Sequence, residues 1–211
     1  MITIGVTGSV GTGKSTVCRM FEKLGAIRLD ADALAHEALE KGKGPYRRVL
    51  RHFGEEVLRR GGEIDRAKLA VRVFSDPREL KKLCQIVHPY VIGKMQRRIQ
   101  ELRRKDPAAT LVAEVPLLFE VGLDSMFHAT VTAWCDAATQ LSRSRRKGMT
   151  AEQLRLRKQA QSPLSEKRSK ADHRVDTRGN LKETARQVRA IWQKLHSGRH
   201  QESKWLKRQS R

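Results

Sequence analysis

The sequence predicts a three-layer α/β fold in which helices cover both faces of a parallel β-sheet. Short apolar runs rich in β-branched residues alternate with amphipathic segments of helical period. This alternation is typical of parallel sheets, because each crossover between neighbouring parallel strands needs a helix. A glycine-rich loop follows the first apolar run. We therefore expect a binding edge at the carboxyl ends of the strands, next to that loop.

The strand predictions follow the apolar runs in order, at residues 2–6, 26–29, 110–115, 129–135 and 175–176. The segment after the first strand places apolar side chains on one face of a helix, and residues 181–195 form a closing amphipathic helix. Residues 137–171 are basic and predicted to be helical, with breaks at Gly148 and Ser162-Pro163.

Residues 46–106 are predicted to be helical with interruptions, and they are too numerous for one crossover. Asp65 is a candidate N-cap, and Asp76-Pro77 opens another helix. His88-Pro89 is predicted to interrupt that helix, because proline lacks a backbone donor. We expect this segment to form an inserted helical region beside the active-site edge.

The 211-residue chain is strongly basic, with 44 Lys and Arg residues against 23 Asp and Glu and a net charge of +21. No apolar run approaches the roughly 18 residues of a membrane span, and the N-terminal residues do not resemble a signal peptide. Three scattered cysteines lack the pattern of a disulfide framework or zinc site. We expect a cytoplasmic protein whose partner is an anion, either polyphosphate or nucleic acid.

The strongest motif is a loop of the form G-x-x-x-x-G-K-[ST] that begins at Gly8. Backbone N–H groups and a helix N-terminus surround phosphates in such loops. Lys14 is predicted to neutralise the β- and γ-phosphates of ATP, and the Ser15 hydroxyl to ligate Mg²⁺. The alternative is a loop that merely turns the chain, but the flanking strand and helix favour a nucleotide site. The predicted ATP-binding residues are Gly11, Thr12, Gly13, Lys14, Ser15 and Thr16.

Two carboxylates, Asp30 and Asp32, follow the second predicted strand. Their place at a strand end predicts that both lie near the phosphate loop. One could accept a proton from an attacking hydroxyl, and the other could organise Mg²⁺ and its waters. The alternative is a capping role for the next helix, which Asp32 could also fill.

With these motifs, the chain resembles the dephospho-CoA kinase family from about Ile4 to about Leu195. The phosphate loop is common to many NTPases, whereas the D-A-D, H-P and P-L-L-F-E segments in this order are much more specific. The family-like segments are Gly5–Thr16, Leu24-Gly25-Ala26, Asp30-Ala31-Asp32, Phe53-Gly54, Gly62–Leu69, Val73–Pro77, His88-Pro89 and Val115–Glu120, followed by Gln140, Arg143, Arg146, Arg157, Gln161, Lys167 and Ala171-Asp172.

The resemblance implies a P-loop kinase that uses Mg²⁺ and transfers the γ-phosphoryl group of ATP to the ribose 3′-hydroxyl of dephospho-CoA, the last step of coenzyme A synthesis. Asp32 would be the general base, and Lys14, Arg143 and Arg146 would complete the catalytic set. Asp30 would join Ser15 as a metal-binding residue. The implied substrate contacts are Thr7, Asp32, His36, His88, Pro116 and Leu117.

The resemblance also implies a single domain over residues 1–196. Its parts are a core (about 1–32, 107–143 and 173–196), a helical coenzyme-binding region (about 33–106) and a lid (about 144–172). Residues 197–211 are predicted to be a disordered basic tail, which could contact nucleic acid without specificity. The chain is expected to be a monomer.

Three residues depart from the family pattern. His36 stands where the family usually has Arg, so a fixed cation becomes a group that titrates near neutrality. Trp134 replaces an Asp, and Thr177 stands where Asn is frequent. For His88, a structural hydrogen-bonding role is the alternative to lining the acceptor pocket.

Two other functions stay open at this stage. The first is a kinase for another small acceptor, such as a nucleoside monophosphate. The second is a nucleic-acid-stimulated P-loop ATPase, which the high net charge suggests. No RNA-binding aromatic motif and no known DNA-binding module occurs in the sequence.

Overall fold

A computed structural model describes residues 1–197, and its elements follow the predicted alternation of strands and helices. The strands are β1 (Ile2–Thr7), β2 (Ile27–Asp30), β3 (Thr110–Glu114), β4 (Ala129–Trp134) and β5 (His173–Asp176). The helices are α1 (Lys14–Lys23), α2 (Ala31–Ala38), α3 (Gly44–Phe53), α4 (Arg66–Ser75), α5 (Pro77–Lys105), α6 (Ala137–Arg145), α7 (Ala151–Gln159), α8 (Leu164–Lys170) and α9 (Leu181–His196). The predicted basic tail, apart from Ser197, lies outside the described residues.

The five strands form one parallel sheet in the order β2-β3-β1-β4-β5, which confirms the predicted fold class. β1 lies at the centre, so the loop that follows it opens between two neighbouring strand ends. At the carboxyl edge, Glu114 of β3 is the register partner of both Val6 and Asp30. Trp134 of β4 pairs in the same way with Asp176 of β5. Residues at these strand ends therefore share one edge.

The chain divides into two compact units, and the sheet belongs to the first, which comprises Met1–Asp30 and the described chain from Leu102 onward. Its core lies where α1 and α9 pack on the sheet. Phe21 of α1 is fully buried, and its ring centroid lies 6.5 Å from that of Trp192 in α9. Burial of these apolar faces holds α1 firmly, and α1 begins at the glycine-rich loop.

The second unit, Ala31–Glu101, is helical and has its own hydrophobic cluster. Asp65 caps α4 as predicted, accepting hydrogen bonds from the backbone N–H groups of Ala67 and Lys68. The cluster consists of Tyr46, Val49, Phe53, Val57, Ile64, Leu69, Val73 and Ile86. The coenzyme-binding role of residues 33–106 and the lid role of residues 144–172 stay predictions.

The predicted interruption at His88-Pro89 is wrong, because α5 continues through Pro89 to Lys105. Pro89 has no backbone N–H, so the carbonyl four residues earlier, that of Gln85, loses its helical donor. The Arg48 side chain supports the same turn from α3, with its Nη2 donating to the neighbouring Ile86 carbonyl at 2.9 Å. Burial of Val87 and Val91 also holds this part of the helix. Tertiary contacts outweigh the local preference of proline.

Candidate active site

The glycine-rich loop has a backbone that side chains would not permit. Gly8, Gly11 and Gly13 all have positive φ angles, of 144°, 78° and 86°. A Cβ atom on Gly8 would lie 2.3 Å from the Ala133 carbonyl oxygen, and one on Gly11 would lie 2.7 Å from the Gln140 carbonyl oxygen. The glycines are therefore required both for conformation and for close approach to β4 and α6.

The loop leads directly into α1, with Gly13 as the N-cap and Lys14 as the first helical residue. The Lys14 ammonium folds back and donates to the Ser9 carbonyl at 2.9 Å. Thr12 Oγ1 donates to the same carbonyl oxygen at 2.9 Å, so the loop is braced from within. A helix N-terminus and a lysine at one loop form an anion site.

The loop shares a cavity of about 340 Å³ with two predicted catalytic arginines, Arg143 and Arg146. The structure therefore brings together the predicted phosphate and arginine residues. Its strongly cationic lining suits a polyphosphate. The lining residues are Gly11, Gly13, Lys14, Ser15, Thr16, Arg19, Arg143, Arg146, Lys147, Thr177, Gly179, Leu181 and Thr184.

Arg143 and Thr177 tie the loop after β5 to the phosphate loop. Arg143 Nη1 donates to Thr177 Oγ1 at 3.0 Å, and its Nη2 donates to the Thr177 carbonyl. Thr177 Oγ1 in turn donates to the Thr12 carbonyl at 2.8 Å. The threonine that departs from the family pattern thus fixes both an arginine and the phosphate loop.

A carboxylate that the sequence prediction did not single out, Glu114, lies beside the phosphate loop. Ser15 Oγ donates to Glu114 Oε1 at 2.7 Å, and Arg28 Nη2 donates to Glu114 Oε2 at 2.8 Å. Arg28 also contacts Asp30 Oδ2, at 3.3 Å. Burial disfavours the charged guanidinium, but the bond and charge of Glu114 outweigh burial and raise the pKa of Arg28. The available signal was an acidic residue at the end of an otherwise apolar run.

These side chains fit a magnesium ion that is shared with substrate phosphates. Mg²⁺ prefers hard oxygen ligands and usually takes only one or two carboxylates from the protein. Ser15, Glu114 and Asp30 supply such oxygens at adjacent positions. Within residues 1–197, no group of three or more His, Cys, Asp or Glu side chains could hold a metal ion. A bound nucleotide would therefore have to complete the coordination.

Two of the predicted substrate residues, Thr7 and Pro116, are in contact. Thr7 Oγ1 donates to the Pro116 carbonyl at 3.1 Å, and the fully buried Lys167 donates to the same oxygen at 2.6 Å. Lys167 also pairs with Glu120 at 2.7 Å, and burial lowers the pKa of Lys167. Leu117 follows Pro116 in the same turn. The buried pair thus connects α8 to the turn after β3.

Three further predicted residues, Asp32, His36 and His88, belong to the second unit. Asp32 lies within the first turn of α2, which begins at Ala31, so it is not the N-cap of that helix. His36 follows four residues later and therefore shares its helix face. His88 is half-buried in α5, and burial lowers the pKa of its imidazole. The catalytic and substrate roles of these residues stay predictions.

The chain is similar to proteins of one family over nearly its whole length. The family model described as dephospho-CoA kinase matches residues 2–183. A curated dephospho-CoA kinase from Geobacillus kaustophilus is 42% identical over 191 residues, which cover 90% of this chain and 94% of the relative. Another from Symbiobacterium thermophilum is 39% identical over 199 residues, covering 94% of this chain and 83% of the relative.

Solved structures resemble the chain in fold. The crystal structure of TT1252 from Thermus thermophilus has a TM-score of 0.77 and 36% identity, covering 93% of this chain and 98% of that one. The shikimate kinase from Acinetobacter baumannii, solved with shikimate, has a TM-score of 0.53 and 18% identity over 94% of this chain and 95% of that one. The second likeness concerns the fold alone.

Proposed function

The chain belongs to the dephospho-CoA kinase family, and from that membership we propose that the residues described above transfer the γ-phosphoryl group of ATP to the ribose 3′-hydroxyl of dephospho-CoA. The enzyme is an ATP-dependent kinase with an alcohol group as acceptor, and its products are ADP and coenzyme A. The observation that carries the proposed roles is the cationic cavity shared by the phosphate loop, Arg143 and Arg146.

Phosphoryl transfer asks a protein chiefly for positioning and for stabilisation of charge. In the proposal, backbone N–H groups of the loop and the Lys14 ammonium hold the β- and γ-phosphates of ATP. Lys14 exchanges its present bond to the Ser9 carbonyl for phosphate oxygens. Arg146 places further positive charge near the transferring phosphoryl group. Arg143 is bonded to Thr177 and so fixes the loop after β5.

The magnesium site is proposed at Ser15, with Asp30 and Glu114 beside it. When bound, Mg²⁺ neutralises phosphate charge and orients the donor phosphates. The Ser15 hydroxyl donates a hydrogen bond to Glu114 Oε1. The lone pairs of Ser15 Oγ therefore point away from that carboxylate. Arg28 holds the other Glu114 oxygen and so keeps the carboxylate in place.

The acceptor side is proposed to rest on Asp32, which would orient the 3′-hydroxyl and take its proton as general base. His36 and His88 would line the acceptor pocket, with His36 supplying a charge that depends on pH. Thr7, Pro116 and Leu117 are the other proposed acceptor contacts. What supports these roles is the family match, which covers every one of these positions.

The reaction is tested by measuring ADP formed from ATP and Mg²⁺ with and without dephospho-CoA, with mass spectrometry of the product. We expect strong stimulation and a product heavier by one phosphoryl group. Parallel arms with nucleoside monophosphates and with RNA address the two other functions. Stimulation by one of those compounds, with none by dephospho-CoA, would overturn the proposed acceptor.

We further propose a cytoplasmic monomer whose basic tail contacts nucleic acid without specificity. The three cysteines support a reducing compartment, because they are scattered and lack the spacing of a disulfide framework. Within the described part of the chain, no helix is both long and apolar enough to cross a membrane. Size-exclusion chromatography with light scattering tests whether the chain is a monomer. A species with the molar mass of a dimer or larger oligomer at the working concentration would contradict the proposal.

A further inference from the structure

A second cationic cavity lies within the helical unit, between α3 and α5. Its volume is about 320 Å³, near the lower end of the range for small-molecule sites. All of its lining residues lie in the segment predicted above to bind the coenzyme, but none is among the predicted catalytic, nucleotide-binding or substrate-contact residues. The lining residues are Arg48, Arg51, His52, Lys82, Gln85 and Ile86.

The spacing of these residues shows that each helix turns one face to the groove. Arg48, Arg51 and His52 recur at i, i+3 and i+4 on α3, and Lys82, Gln85 and Ile86 do the same on α5. Residues at these spacings are neighbours on a helix surface. Two stripes, each one turn long and polar except at Ile86, therefore form the opposite walls.

Part of this lining is held in place by bonds across the groove. The Arg48 guanidinium donates to the Ile86 carbonyl at 2.9 Å. His52 Nε2 lies 2.9 Å from Glu79 Oε2, and its ring stands edge-on to Phe53 with centroids 4.7 Å apart. The buried cluster beneath includes Phe53 and Ile86. The walls are thus attached to a packed core.

The other two cations of the groove have no partner of their own. Within residues 1–197, neither Arg51 nor Lys82 forms an ion pair or a side-chain hydrogen bond. Glu79, the carboxylate nearest to Lys82 in sequence, is paired with His52. Cations that face each other across a groove repel, and a bound anion relieves that repulsion.

We propose that the α3–α5 groove binds an anion that carries at least two phosphate groups. Arg51 offers a planar fork to one phosphate and Lys82 a compact charge to another. Gln85 supplies a neutral amide donor, and Ile86 forms an apolar floor. This site is separate from the phosphate loop and adds a second anion site to the kinase.

The test is calorimetric titration of inorganic pyrophosphate into the full-length chain, with the phosphate loop already filled by ADP. The variant is Arg51→Glu with Lys82→Glu, and the control is Arg60→Glu with Arg189→Glu. The control has the same change of charge at exposed positions outside both cavities. We expect the groove variant to lose at least about tenfold in pyrophosphate affinity and the control to stay close to wild type.

Equal affinity in wild type and groove variant would overturn the proposal, and so would equal weakening in both variants, which indicates only long-range charge. If the groove variant fails to fold, Arg51→Gln with Lys82→Gln replaces it with the same expectation. A short single-stranded oligonucleotide forms a second arm. Loss of oligonucleotide binding without loss of pyrophosphate binding would assign the groove to a nucleic-acid backbone and overturn the small-anion site.

Discussion

At the scale of single residues, Glu114 connects the phosphate loop to the edge of the sheet. It accepts from Ser15 and is held by Arg28, and it is only 5% exposed. Glu114→Gln keeps the shape but removes the charge and one strong acceptor. We expect Mg²⁺ affinity in the presence of ATP to fall by about 10- to 100-fold, as for other groups that orient metal ligands.

Mn²⁺ binding followed by electron paramagnetic resonance measures this effect without relying on catalysis. Asp30→Asn is the matched control, because Asp30 is a neighbouring carboxylate whose contact to Arg28, at 3.3 Å, is longer than that of Glu114. We expect Asp30→Asn to have a smaller effect than Glu114→Gln. The reverse order would assign the metal to Asp30, as the sequence predicted, and would leave Glu114 a structural role.

Asp32 is the residue on which the proposed acceptor chemistry depends. Asp32→Asn retains the shape of the side chain but cannot take a proton from the 3′-hydroxyl. We expect kcat to fall by about 10²- to 10⁴-fold, the usual contribution of a general base. The affinity for ATP, measured by fluorescence titration, should stay unchanged. An undiminished kcat would remove Asp32 from the mechanism.

Lys167 is the most deeply buried cation of the described chain, and its side chain has no exposed surface. Lys167→Met leaves Glu120 buried without its counter-charge, and we expect a loss of about 3–5 kcal/mol in the free energy of unfolding. The double variant Glu120→Leu with Lys167→Met removes both charges and should recover most of that loss. Urea denaturation followed by tryptophan fluorescence measures both. Equal losses in the two variants would contradict the view that Lys167 serves as the counter-charge of Glu120.

These residues show what the sequence could predict of the site. The phosphate loop was predictable because its backbone geometry demands glycine at fixed spacing, as at Gly8 and Gly11. Glu114 was not singled out, and Lys167 was noted only as a family-like residue without a role, because their functions arise from contacts between distant segments. Ser15 and Glu114 are 99 residues apart, and Lys167 is 51 residues from Pro116. Spacing along a chain carries no signal of such pairs.

At the scale of elements, α2 is joined to α5 by one carboxylate, Glu37. It accepts from the Tyr90 hydroxyl at 2.6 Å and pairs with Lys94 at 2.8 Å. These two bonds lower the pKa of Glu37 from 4.5 to about 2, and the bond from Lys94 has the larger effect. Because α2 carries Asp32 and His36, this contact also fixes the helix that bears the proposed base.

A pH dependence of stability follows from the lowered pKa of Glu37. The unfolded chain binds the proton more readily, so the stabilisation is complete above pH 4.5 and is lost as the pH falls towards 2. Glu37→Gln should be less stable at neutral pH and should lose less stability on acidification. Urea midpoints by circular dichroism, measured over this range, give the difference. Parallel pH profiles for wild type and variant would contradict the prediction.

The order of elements was predicted more fully than their continuity. All five strands begin and end within two residues of their predicted positions, and the agreement is closest for β1, β3 and β4, because these buried parallel strands are short apolar runs. The length of α5 was not predicted, because Pro89 is a local signal, whereas the bond from Arg48 to the Ile86 carbonyl joins residues 38 positions apart and Val87 and Val91 are held by burial. Local propensity fails where tertiary contacts hold a helix through a proline.

At the scale of the whole molecule, the net charge of +21 acts on every anionic substrate. ATP and dephospho-CoA both carry several negative charges, so long-range attraction should raise their rates of capture at low salt. Salt shortens the reach of that attraction, from about 10 Å at 0.1 M to about 3 Å at 1 M. Chemistry within the formed complex takes place between groups in contact and is screened much less.

We therefore expect kcat/KM for ATP to fall about tenfold or more as potassium chloride rises from about 0.05 to 0.5 M, while kcat changes little. Initial rates at several ATP concentrations in each salt separate the two constants. A neutral osmolyte at matched osmolality is the control, because it changes water activity without screening charge. A parallel fall in kcat would place the salt effect on the folded state or on the transfer step, and a constant kcat/KM would show that the excess charge does not assist substrate capture.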